Sequence, residues 1–112
     1  MSVICDGSSA SAAELFTANF RDHSLGTVVG QKTYGKGSMQ TVFSLLPYGF
    51  TGGLRLTTRM YFPPCGESYE GIGIYPDDGY DIALSEEALE YTLNTLPEEL
   101  DDQLIGAISS LK

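Results

Sequence analysis

Hydrophobic positions in this chain change their spacing several times, and each change marks an element. Val3-Ile4-Cys5 is a short apolar run closed by the turn formers Asp6-Gly7-Ser8-Ser9, so it reads as a buried strand. Ala12, Leu15, Phe16 and Phe20 then recur at helical spacing and predict a helix from about Ser11 to Asp22. Gly26 ends that region, and Thr27-Val28-Val29 is a second short strand. From Ser38 to Leu46 the pattern alternates, with Met39, Thr41, Phe43 and Leu45 on one face. Leu54, Leu56, Thr58, Met60 and Phe62 alternate over Gly53 to Phe62, and the loop from Pro47 to Gly52 joins the two strands as an antiparallel hairpin. Pro63 and Pro64 stop the second strand, since proline donates nothing to a ladder.

The remainder is looser. Cys65 to Tyr80 is rich in Gly, Pro and Asp and reads as a long ordered loop with a brief extended piece at Ile72 to Tyr75. Ser85-Glu86-Glu87 has the look of an N-cap followed by first-turn acids, opening a short helix to about Asn94. Pro97 fits the first turn of a final helix with Leu100, Leu104, Ile108 and Leu111 on one side. There is no internal repeat.

Composition narrows the partners. The 112 residues amount to one domain or less, and 42% hydrophobic content with seven Tyr and five Phe is enough for a core. The formal charge of −9 repels phosphate backbones and anionic membranes, so no nucleic-acid partner is expected. Two cysteines define no disulfide framework, and Cys5, inside an apolar strand, reads as a small buried hydrophobe. The chain enters its first strand almost at once, as a piece of a longer protein would.

Two stretches carry candidate chemistry. Ser11 stands where a small-residue turn opens a helix, within Ser8-Ser9-Ala10-Ser11-Ala12-Ala13-Glu14. Alone, Ser11-Ala12-Ala13-Glu14 is most simply a capping box. The functional reading is a hydroxyl at a helix N-terminus, where the Ala12 amide can donate to the oxyanion of a tetrahedral intermediate. Lys36 lies between two glycines in Gly30-Gln31-Lys32-Thr33-Tyr34-Gly35-Lys36-Gly37-Ser38-Met39-Gln40. Alone, it is a solvated lysine in a turn; functionally, a lysine that has lost its proton can activate a serine. Gln40 can hold that amine through its side-chain oxygen, or be an ordinary polar residue on an exposed strand face.

Other candidates are weaker. His23, in the polar helix end Arg21-Asp22-His23-Ser24, reads as a surface residue rather than a triad member. Gly71-Ile72-Gly73 lacks the third glycine of a dinucleotide fingerprint. Asp77, Asp78 and Asp81 lack the spacing of a calcium loop and read as a solvated acidic stretch. The cysteines have no zinc spacing.

Together the two stretches closely resemble the C-terminal processing peptidases, or tail-specific proteases. That family carries a G-S-A-S-A-S-E turn before a helix and then G-x-K-T-[FY]-G-K-G-x-x-Q. Further resemblances follow in order: Leu54-Arg55-Leu56-Thr57-Thr58 to L-K-L-T-T, and Tyr61 through Tyr69 to Y-x-T-P-x-G-x-S-I. Gly71 through Asp77 is similar to G-x-G-I-x-P-D, and Asp101-Asp102-Gln103-Leu104 to D-x-Q-L. Ser8 and Ala13 depart from the pattern without removing a reactive group.

The resemblance implies an α/β fold class, a partial crotonase-like fold of strand-strand-helix units with an antiparallel hairpin, the chain being the C-terminal part of a catalytic domain. The first half of that core and a PDZ domain would lie upstream. It implies a serine endopeptidase with a Ser-Lys dyad that cleaves protein substrates near their C-termini, in a bacterial periplasm or cell envelope. Ser11 falls on the nucleophile, Lys36 on the general base and Gln40 on the supporting glutamine, with no cofactor. The 112 residues alone are then expected to be inactive and to self-associate. A different class remains open, a non-catalytic binding module of the same fold, although a hydrophobic carrier has no need of all three residues.

Overall fold

Val3, Ile4 and Cys5 belong to β1 (Ser2–Cys5), which pairs in parallel with β2 (Thr27–Gly30), Ser2 opposite Thr27 and Cys5 opposite Gly30. Parallel strands cannot be joined by a tight turn, and the crossover is α1 (Ala12–Asp22). The computed structural model describes residues 1–92 and 94–112. Consecutive residues of a strand face opposite sides. Accordingly Val28 packs with Cys5 and Phe20 of α1, whereas Val29 lies against Gly106 of α2 (Asp102–Ser109). Both faces of β2 are therefore covered and Val28 and Val29 are fully buried, whereas β1, expected to be buried, buries only Cys5 and leaves Ile4 exposed. A third extended segment runs along β2: Gly30 N–H donates to Tyr80 O, and Ile82 N–H to Gly30 O.

The buried faces of the helices differ from the expected ones. In α1 the residues turned inward are Glu14, Thr17, Ala18 and Phe20, while Phe16 is 61% exposed and Ala12 is exposed too. The inward stripe follows Glu14, a charged residue that hydrophobic periodicity ignores. In α2 the inward residues are Gln103, Gly106 and Ala107. Ile108 and Leu111, expected on the packed side, are exposed, because close approach to Val29 and Ile82 requires the glycine. The helix expected after Ser85 shrinks to a 3-10 turn at Ala88–Glu90, ended by the extended Tyr91; Leu93 lies outside the described residues. A second 3-10 turn, Glu98–Leu100, precedes α2, whose N-cap Asp101 accepts from Leu104 N–H.

The hairpin forms as expected. β3 (Ser38–Ser44) and β4 (Gly53–Met60) are antiparallel, with a register shift between Met39 and Gln40. Every residue of β4 is exposed, as are Val42 and Phe43. The hairpin's alternating side chains thus find no second layer within these residues. The radius of gyration is 17.7 Å, well above the roughly 13 Å of a compact domain of this length.

The long loop is ordered by a second small core, in which Tyr69 and Ile74 pack on Ala18 with Tyr61 alongside. Ile72 to Tyr75 is no strand, but it hydrogen-bonds in place through Ile74. Tyr69 stands at the isoleucine position of the resembled loop, and its buried hydroxyl has no hydrogen-bond partner among the described residues. An unpaired buried donor is costly. Tyr69→Phe, which keeps the ring, is expected to raise stability by about 1 kcal/mol, read as a higher denaturation midpoint. A lower midpoint would show that the hydroxyl is partnered in the intact protein.

Candidate active site

The turn between β1 and α1 is knitted by Asp6 and Ser9. Ser8 and Ser9 N–H donate to Asp6 Oδ1 at 2.9 and 3.0 Å, and the Ser9 hydroxyl accepts from Asp6 N–H at 3.1 Å. Ser11 follows at φ 57° and ψ −113°, a backbone conformation that non-glycine residues rarely adopt. Such strain, of about 1–3 kcal/mol, persists only where its surroundings impose it. Ser11 is the N-cap of α1 and forms a capping box with Glu14, whose carboxylate accepts from Ser11 N–H at 2.9 Å. As the first helical residue, Ala12 has no intrahelical acceptor for its N–H.

Glu14 does far more than cap. Its carboxylate is fully buried and accepts from Thr33 Oγ1 and Gly35 N at 2.6 Å each, and from Lys36 N at 2.7 Å. The bonds from Ser11 N and Lys36 N end on the same atom, Oε2, so the two nitrogens are no farther apart than those two bonds combined. Burial pushes the Glu14 carboxyl up, but hydrogen bonds from Thr33, Lys36, Gly35 and Ser11 outweigh it and hold the group below its ordinary value of 4.5. The ionised carboxylate is the form this pocket of donors fits.

The Lys36 loop is pinned on its other side by residues 69–74. Thr33 N–H donates to Ile74 O, Ile74 N–H to Thr33 Oγ1, and Gly71 N–H to Gly35 O. Gly35, at φ +91°, admits this approach: a Cβ there would lie 2.8 Å from Gly73 N. Gly71-Ile72-Gly73 is thus a backing for the lysine loop. Tyr34 N–H donates to Ser9 O at 3.0 Å, a further tie between the two halves.

The side chains are arranged less directly. Lys36 Nζ donates to Ser38 O at 3.2 Å, and Gln40 Nε2 reaches Ser38 Oγ and Thr57 Oγ1 at 3.3 and 3.4 Å. Among the described residues, neither side chain hydrogen-bonds Ser11. His23 sits exposed at the C-cap of α1. Asp77 accepts from Val28 N–H at 2.8 Å and so anchors β2, a structural role the acidic-stretch reading missed. Cys5 and Cys65 are free, and burial pushes the Cys5 thiol up to about 11, with Asp6 and Glu14 adding to it. Two concavities of about 200 Å³ are lined by Ile4, Cys5, Asp6, Ser9 and Gln103, and by residues around Tyr69 and Tyr75; neither includes Ser11, Lys36 or Gln40. Sequence reasoning missed Thr33 and the wider role of Glu14; an acid facing inward on a helix beside small residues was the available signal.

With this geometry in view, the comparisons are decisive. The description Peptidase family S41 matches residues 1–79. The chain belongs to peptidase family S41. It is 42% identical over 98 residues to the carboxy-terminal-processing protease of Bartonella bacilliformis, covering 78% of this chain and 22% of that protein. It is 34% identical over 116 residues to the carboxyl-terminal-processing protease of a Picosynechococcus species, covering 96% of this chain and 27% of that one. Among solved structures, a photosystem II D1 C-terminal processing protease superposes with a TM-score of 0.66 at 29% identity, over 92% of this chain and 25% of the other. The α/β arrangement is that of the S41 proteases, and the chain spans about a quarter of the length of these relatives.

Glu14→Gln replaces an acceptor of four hydrogen bonds by a group with two donors of its own. It is expected to cost on the order of 3 kcal/mol, read by denaturant melts. Because the folded carboxyl titrates below 4.5, its contribution is complete above that pH and is lost as pH falls through the folded value. Wild-type stability should therefore drop on acidification below about pH 4.5, and Glu14→Gln should drop less steeply. Equal slopes would refute the buried-carboxylate account.

Proposed function

We propose that the protein containing this chain is a serine endopeptidase of the C-terminal processing type, using Ser11 as nucleophile and Lys36 as general base. The observation that carries the reading is the Glu14 carboxylate bound at once to Ser11 N–H and Lys36 N–H. It joins two stretches 25 residues apart in a frame that serine-lysine chemistry requires and that a capping box alone does not.

Neutral Lys36 takes the Ser11 proton as Oγ bonds to the scissile carbonyl carbon. Negative charge develops on the carbonyl oxygen, where the Ala12 N–H donates at the positive end of α1. Lys36 then passes the proton to the leaving amine as the C–N bond breaks. A water, deprotonated by the same amine, hydrolyses the acyl-enzyme. Gln40 orients Lys36, whose amine must first turn from Ser38 O towards Ser11. Substrates are protein C-termini, and we place the parent outside the cytoplasm, in a periplasm or cell envelope.

In the full-length protein, Ser11→Ala and Lys36→Ala should each remove several orders of magnitude of peptidase activity while leaving folding largely intact. Lys36→Arg should stay inactive at every accessible pH, because guanidinium remains protonated and cannot take the Ser11 proton. Substantial turnover in any of the three would sink the dyad.

We also read residues 1–112 as the C-terminal part of a catalytic domain, with the rest of the substrate groove, a second oxyanion donor and a PDZ domain supplied by other sequence. A polypeptide of these residues alone should not turn over peptides, since one missing oxyanion donor costs about a hundred- to a thousandfold. Its exposed hairpin should favour pairing between copies. A clean monomer in light scattering at high concentration, or robust turnover, would overturn this assignment.

A further inference from the structure

Lys36 and Gln40 converge on one residue that the mechanism above does not use. Ser38 opens β3, is only 7% exposed, and lies between them in the chain. Lys36 Nζ donates to its carbonyl at 3.2 Å and Gln40 Nε2 to its hydroxyl at 3.3 Å, while the hydroxyl donates to Glu70 Oε1 at 3.2 Å. A hydroxyl has one proton and two lone pairs, whereas an ionised carboxylate only accepts. The Ser38 proton is therefore committed to Glu70, and lone pairs alone face Gln40. That sets the Gln40 amide: its NH₂ turns to Ser38 and its carbonyl oxygen turns away. Shape alone does not distinguish the two ends of an amide; here a carboxylate one residue removed does.

We propose that Ser38 is a positioning residue for the reaction, completing a relay from Glu70 through Ser38 to Gln40 that leaves the Gln40 carbonyl oxygen free to hold the Lys36 amine. The proposal rests on Lys36 being the base. A neutral amine has two N–H donors and one lone pair. Held through an N–H by the Gln40 oxygen, it keeps the lone pair for the Ser11 proton. Met by the NH₂ end instead, it would spend that lone pair on Gln40 and lose its function as a base. Loss of the Ser38 hydroxyl removes what selects between these orientations. The register shift between Met39 and Gln40 is part of the same arrangement, since it sets Gln40 opposite Thr57, whose hydroxyl is the second acceptor of the amide.

The test uses the full-length peptidase and a peptide substrate with a free C-terminal carboxylate. Ser38→Ala should lower kcat about tenfold with KM changed less than about twofold, as expected for a group that orients the base without holding substrate. Ser38→Thr, which restores the hydroxyl, should recover kcat to within about threefold of wild type. Glu70 is exposed, so Glu70→Gln tests the relay without disturbing the core, and should lower kcat about threefold. The double variant should be no slower than Ser38→Ala, because both changes break one relay. Unchanged kcat in Ser38→Ala or in Glu70→Gln, a Thr variant as slow as Ala, or additive losses in the double variant would each overturn the proposal. Ser11→Ala, run alongside, separates the failures. Its inactivity with an unaffected Ser38→Ala removes the relay alone, and its activity removes the peptidase reading and the relay together.

Discussion

One buried carboxylate organises this site. Glu14 takes four donors from two segments: Ser11 N–H in the turn before α1, and the Thr33 hydroxyl with the consecutive amides of Gly35 and Lys36 in the lysine loop. Buried ionised carboxylates are tolerated only when their lone pairs are filled, and each such bond to a charged group contributes about 1.5–3 kcal/mol. That is enough to offset the roughly 1–3 kcal/mol of strain that Ser11 carries at positive φ. The strained serine and the buried acid are therefore one feature. Without the acid, Ser11 has little reason to stay in its conformation and the lysine loop has no fixed point.

The glycines around Lys36 follow from the same constraint. A carboxylate that binds two consecutive amides needs a loop whose N–H groups point one way, which Gly35 at φ +91° allows. The loop must also be backed, and Gly73, at φ +85°, lets residues 71–74 close on Thr33. A Cβ there would lie 2.3 Å from Thr33 O. Two glycine-containing motifs far apart in the chain are thus two sides of one backbone contact.

Much of this was legible and some was not. The first two strands, α1, the hairpin and the existence of a final helix follow from periodicity and turn residues, because apolar spacing reports burial wherever burial is what holds an element; the parallel pairing of the strands and the start of α2 at Asp102 rather than Pro97 did not. The method failed where polar groups did the holding. Glu14 rotated α1 away from its Phe16 face, and Gly106 turned α2 away from Ile108. Asp77, taken for a solvated acid, anchors Val28 through its side chain. Leu54 and Leu56 pair with Phe43 and Thr41 in one row as read, but the register shift at Met39 and Gln40 sets Met60 opposite Ser38, outside that row, and nothing in the pattern says whether a covering layer lies within these residues. The identities of Ser11, Lys36 and Gln40 came from motif spacing, whereas the carboxylate that relates the first two was visible only as half of a capping box.

The frame and the reacting side chains are held with very different strength, and this shapes how the site works. Backbone atoms of Ser11 and Lys36 share a buried charged acceptor. The lysine amine, by contrast, is held among the described residues by one bond to the Ser38 carbonyl, worth about 1 kcal/mol net, or roughly fivefold in population. Moving the amine to Ser11 therefore requires side-chain rotation against a small preference, with no rearrangement of the loop that carries it. A substrate that favours the turned amine by even a modest contact can populate it. The costly part of the geometry, bringing a serine and a lysine turn together at positive φ, is settled on folding by Glu14. In the proposed mechanism the inexpensive part is left to the hydroxyl, amide and amine groups around Ser38, where hydrogen-bond direction rather than backbone position would decide which lone pair faces the serine.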